Sequence, residues 1–141
     1  MGPLDLSGLT PPARLLLDTN PILYWLEGHA LADRFQPLFE KHAAGEVQFA
    51  MTTVTIADVL AGPLRVGEES LTARYRGLLE SWRVIDLTAA VAERAARLRA
   101  RLGLKLADAL QAASAFVLHA DAWVMHDSNV QRLGSSLRMI A

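Results

Sequence analysis

The chain has 141 residues, of which 52% are hydrophobic and 21% charged, and it contains no cysteine. That is enough apolar material for one self-supporting domain, and it excludes thiol catalysis, zinc ribbons and disulfide scaffolds. The charges, 14 Lys+Arg against 15 Asp+Glu for a net −1, supply no overall attraction to nucleic acid or membrane, so any such partner has to be recognised locally.

Residues 1–13 carry Pro3, Pro11 and Pro12 without any periodic pattern and read as a flexible tail, leaving 14–141 as a single domain. No basic leader precedes an apolar stretch, Leu6 breaks a myristoylation motif, and no apolar run approaches the roughly 18 residues of a membrane helix. The expectation is a soluble, cytoplasmic protein.

Leu15-Leu16-Leu17 is a short apolar run that stops at Asp18-Thr19-Asn20-Pro21. The pattern predicts a buried strand entering a helix, with Asn20 as N-cap and Pro21 at the first helical position. A helical stretch over about 31–43 follows, and then a second run, Val47–Met51. This run enters an apolar helix that is expected to end at Gly62-Pro63. Further helices are predicted over about 69–80, 89–101 and 106–119, with strands at Arg83–Asp86, Ala122–Met125 and Leu137–Ile140. In 106–119, Leu106, Ala109, Leu110, Ala113 and Val117 share one face. Gly45, Gly62 and Gly103 stand where helix ends want a left-handed residue. Short apolar strands alternating with helices predict a three-layer α/β domain with a central parallel sheet.

Ligands of open parallel sheets bind at the carboxyl ends of the strands, which makes the residues there the candidates for chemistry. Asp18 and Asp127 follow apolar runs and have no Arg or Lys within two positions. Two ionised carboxylates at one sheet edge repel each other, and a divalent cation relieves that repulsion. Asp58 and Asp108 lie near helix N-termini at the same edge. Each also has a structural reading, Thr55-x-x-Asp58 as a capping box and Asp108 as a first-turn acid favoured by the helix dipole.

Taken in order, Leu16-Leu17-Asp18-Thr19-Asn20, Ile56-Ala57-Asp58-Val59-Leu60, Leu104–Ala113 around Asp108, and Met125-His126-Asp127 resemble the PIN domain, most closely its VapC-type toxins. The resemblance implies strand order 3-2-1-4-5 and a ribonuclease that cleaves single-stranded RNA with Mg2+ or Mn2+. It also implies a cognate antitoxin and a homodimer. By position, Asp18, Asp108 and Asp127 are the implied metal ligands, Asp58 the further catalytic acid and Asn20 a supporting residue. This chain departs from the family twice, with Asp58 where Glu is usual and Met125 where a hydroxyl residue is usual. Those departures define a second reading, a PIN-like binding module acting through antitoxin or self-association contacts.

Arg94, Arg97 and Arg101 share a helix face that leads with Lys105 toward Asp108, forming a stripe that could hold RNA phosphates. The alternative for that stripe is a solvated helix surface. His126 is a further candidate RNA contact, although strand alternation turns it away from Asp127. Asp86 also ends an apolar run, but the implied strand order puts it at the sheet edge and outside the site.

Overall fold

The computed structural model describes residues 4–126 and 137–141. The strands are β1 (Ala13–Leu17), β2 (Val47–Thr52), β3 (Arg83–Ile85), β4 (Ala122–Val124) and β5 (Met139–Ile140). The helices among these residues are α1 (Thr19–Glu27), α2 (Ala32–Ala43), α3 (Thr53–Arg65), α4 (Glu69–Glu80), α5 (Ala89–Leu102) and α6 (Leu106–Leu118). The five strands form one sheet of order β3-β2-β1-β4-β5 with every pairing parallel. Both the α/β class and the strand order agree with the sequence reading.

Alternation along the central strands divides the core into two layers. Ala13, Leu15 and Leu17 of β1 join Ala122 and Val124 of β4 in a layer with Ile22, Phe35, Leu38 and Val59. Leu16 and Trp123 point the other way and pack with Val91, Ala95, Leu98, Ala109, Ala112 and Ala113 of α5 and α6. Each fully buried Leu, Ile or Phe contributes about 1.5–3 kcal/mol relative to exposure, which is why Leu15–Leu17 of β1, buried on both faces, form an unbroken apolar run after the exposed Arg14.

Local details depart from expectation in four places. The N-cap of α1 is Asp18, not Asn20: its carboxylate accepts from Thr19 N–H, which starts the helix two residues earlier and leaves Asn20 exposed inside it. The cap of α3 is Thr52, whose hydroxyl accepts from Thr55 N–H, so Thr55 and Asp58 do not form a capping box. Gly62 does not end that helix. Pro63 is buried and the helix continues to Arg65, with the left-handed turn at Gly67. On α6, Leu106 and Val117 are exposed, because the core is filled by the small residues Ala109, Ala112, Ala113 and Ala115 instead.

Residues 4–12 have no regular structure, yet Leu4, Leu6 and Leu9 pack against the first core layer. Arg138 donates to the Asp5 carbonyl from the far end of the chain. No helix among the described residues is long and apolar enough to cross a membrane.

Candidate active site

The end of β1, the first turns of α3 and the first turn of α6 meet at the carboxyl edge of the sheet. Asp18 sits directly after β1, where its N–H donates to the Val124 carbonyl of β4 at 2.8 Å, anchoring it between the two central strands. Its Oδ1 accepts two hydrogen bonds, from Thr19 N–H at 2.8 Å and from Gln111 Nε2 at 3.0 Å.

Gln111 is 2% exposed, and all the polar atoms of its amide have partners. Nε2 donates to Thr55 Oγ1 at 2.9 Å as well as to Asp18, while Oε1 accepts from Thr52 Oγ1 at 2.8 Å. Thr19 Oγ1 extends the network, lying 3.1 Å from Asp58 Oδ2 and 3.5 Å from Thr55 Oγ1. A continuous chain of hydrogen bonds thus links Asp18 to Asp58 through Gln111 of α6, Thr55 of α3 and Thr19 of α1, with Thr52 of β2 branching from the Gln111 amide. An unpaired amide in this position would cost about 1–3 kcal/mol, so the network holds α6 in register with β1.

The carboxyl of Asp18 is pushed up to about 6, chiefly because burial disfavours its charged form, and the nearby negative charges of Asp108 and Asp58 add to the shift. Hydrogen bonds from Thr19 and Gln111 oppose it. Asp108 is half-buried in the first turn of α6, and Asp58 is exposed on α3. Three of the four candidate acids therefore converge. Asp127 lies outside the described residues, as do Ser128 and Asn129.

This oxygen-only set has the chemistry that hard cations such as Mg2+ or Mn2+ prefer. Among the described residues no group of three acidic or imidazole side chains is tight enough to hold a metal alone. Mg2+ binds through one or two carboxylates with retained waters, and that looser requirement fits the Asp18 and Asp108 arrangement.

The other expected residues are dispersed. His126 is half-buried and meets the rings of Tyr24 and Phe35 edge-on, at centroid distances of 5.5 and 6.2 Å. Met125 is 1% exposed and packs in the core layer beneath α5 and α6, so no side-chain hydroxyl reaches the site from that position. Lys105 is exposed at the N-terminus of α6, and Arg94, Arg97 and Arg101 are exposed along α5. Asp86 is exposed at the end of edge strand β3, two strands from β1.

Gln111, Thr52 and Thr19 were not singled out from the sequence, and Thr55 was read only as half of a capping box. Gln111 left a signal, as a long polar side chain inside the small apolar run Ala109–Ala115. The threonines left none, since Thr is ordinary at strand ends and helix caps.

The PIN domain sequence profile matches residues 15–135. No curated protein matches the chain. Among solved structures it is similar to a toxin–antitoxin complex from Klebsiella pneumoniae, with a TM-score of 0.71 and 24% identity over 90% of this chain and 96% of the other. It is also similar to VapBC2 from Rickettsia felis bound to a DNA fragment from its promoter, with a TM-score of 0.71 and 19% identity over 89% and 96%. VapBC-1 from nontypeable Haemophilus influenzae aligns with a TM-score of 0.67 and 20% identity over 89% and 96%. At these identities the likeness speaks for the fold. With a profile match that runs from within β1 through β4 and three of its acids gathered at the sheet's carboxyl edge, the chain belongs to the PIN domain family.

Proposed function

We propose that this protein is a divalent-cation-dependent ribonuclease, a VapC-like toxin that hydrolyses phosphodiester bonds in single-stranded RNA. The observation that carries the reading is the convergence of Asp18, Asp58 and Asp108 around a hydrogen-bonded core of Gln111, Thr52, Thr55 and Thr19. Asp18 and Asp108, with Asp127, would hold Mg2+ or Mn2+. When bound, the cation would polarise the phosphoryl oxygen and lower the pKa of a coordinated water.

The remaining work falls to the chain itself. Gln111 and the Thr19 amide hold Oδ1 of Asp18, so the orientation of that carboxylate is set before substrate arrives. Thr19 holds Asp58 at the same rim, where a carboxylate can accept a proton from an attacking water. Asn20, exposed in the first turn of α1 two residues after Asp18, is the proposed supporting residue of the first motif. The family match and the likeness to VapBC assemblies support a protein antitoxin as partner. A homodimer is the proposed working form.

The test is cleavage of a mixed single-stranded RNA pool by purified, partner-free protein with Mg2+ or Mn2+. The expected result is cleavage that disappears with a chelator and in Asp18→Asn. No cleavage with either ion, from folded protein free of antitoxin, overturns the nuclease reading.

A further inference from the structure

The nuclease reading leaves an electrostatic problem. The carboxylates at the sheet edge repel an anionic strand, and the whole chain carries a net charge of −1, so affinity for a polyanion has to come from a local basic surface. Such a surface lies on the outer side of α5 and α6, where an open groove of about 920 Å3 has Arg94, Arg97 and Arg101 along one side and Leu98, Phe116 and Val117 among its apolar lining.

Two features set this groove apart from an ordinary solvated helix face. The guanidinium of Arg94 stands over the ring of Phe116, 4.9 Å from its centroid. An aromatic ring capped by a guanidinium is the combination on which unpaired bases stack. The groove also has a direction. The three-residue connection Gly103–Lys105 makes α5 and α6 antiparallel neighbours. With Arg94 level with Phe116, Arg97 falls level with Ala113 and Arg101 with Ala109, one residue from Asp108. From Phe116 to Asp108 is eight residues of helix, about 12 Å along the axis and about 80° around it. The arginine row therefore runs along α5 toward the end of α6 that carries Asp108.

We infer that this α5–α6 groove is an exosite for the unpaired segment of the RNA substrate, with the three arginines drawing the phosphates and a base stacked on the Arg94 guanidinium that Phe116 supports from beneath. Glu93 opposes it only weakly, since the exposed carboxylate already pairs with Arg97 at 3.4 Å. A spaced basic row that ends in a guanidinium backed by an aromatic ring favours a nucleic-acid strand over a run of acidic side chains, which has no π-face to lay on the Arg94–Phe116 pair. The proposal rests on the ribonuclease reading for the identity of the strand, but its test does not depend on turnover.

The experiment measures binding of a short, fluorescein-labelled mixed-sequence single-stranded RNA to the full chain by anisotropy, in EDTA and over a range of salt. The expected result for Arg94→Gln/Arg97→Gln/Arg101→Gln is at least about tenfold weaker binding and a log–log salt slope shallower by about 2, from three lost phosphate contacts. Phe116→Leu keeps the apolar packing and all the charges, and is expected to weaken binding severalfold with the slope intact. Unchanged affinity and slope in the triple variant overturn the exosite. So does equal competition by a polyglutamate peptide with no effect of Phe116→Leu, which identifies an acidic protein surface instead. The two readings fail separately: cleavage that depends on Asp18 with unaltered binding by the triple variant removes only the exosite, whereas arginine- and Phe116-dependent binding without any cleavage removes only the nuclease.

Discussion

Gln111 Nε2 lies 3.0 Å from Asp18 Oδ1, joining the interior of α6 to the end of β1 across 93 residues of sequence. This contact connects the fold to the chemistry. The same amide that secures α6 against the sheet also aims the carboxylate most central to the site, so stability and function depend on one side chain.

Replacing Gln111 with Met keeps the volume and removes every hydrogen bond of the amide. Thr52, Thr55 and Asp18 each lose a partner in or near the core. The expected cost is about 2–3 kcal/mol of unfolding free energy, read by urea denaturation. RNA cleavage should fall with it at temperatures where the variant remains folded. A variant as stable as the parent would show that the network is dispensable.

The raised carboxyl of Asp18 makes stability depend on pH in a defined direction. Its folded value of about 6 lies above the ordinary 3.8, so the folded state holds a proton that the unfolded state releases. The stabilisation is full below about pH 4 and is lost as pH rises through 6. Without divalent ions, Asp18→Asn should therefore be more stable than the parent at pH 7.5 by about 1–3 kcal/mol, because Asn keeps an acceptor oxygen and carries no charge. At pH 4 the two should melt alike. A less stable Asn variant at neutral pH would contradict the burial of this charge.

Cation binding should oppose that trend. Mg2+ or Mn2+ selects the ionised carboxylate, so the rise in melting temperature on adding either ion should be larger at pH 7.5 than at pH 5. Asp18→Asn should show little of this rise at either pH. Equal shifts in parent and variant would place the ion elsewhere.

Asp58 is exposed and tied to the site through Thr19 Oγ1. Asp58→Asn should leave the melting temperature within a few degrees of the parent while reducing cleavage at least about a hundredfold, the lower end of the range for removing a positioned acid or base. Full activity in this variant would confine Asp58 to a structural role.

Asp86 serves as the internal control. It is an exposed acid at the end of β3, and β3 is separated from β1 by β2, roughly 10 Å away at ordinary strand spacing. Asp86→Asn should leave the cation-induced melting shift and RNA cleavage unaltered. A clear loss in either would contradict the strand order.

The sequence alone determined the layers, the strand order through its PIN resemblance, and the edge at which the acids gather. These follow from local signals. Leu15–Leu17 must be buried on both faces, the helical stretches carry a 3.6-residue pattern, and an acid placed after an apolar run lands at the end of a strand. The tertiary structure decided what those signals leave open. Asp18 rather than Asn20 caps α1, because the carboxylate reaches the Thr19 amide just beyond the strand end. Leu106 and Val117 remain outside, because alanines fill the space between α6 and the sheet. Gln111 finds its partners 93, 59 and 56 positions away in the chain. Contacts at such separations leave no periodicity in the sequence; they exist only once the crossover connections have brought β1, β2, α3 and α6 to one edge.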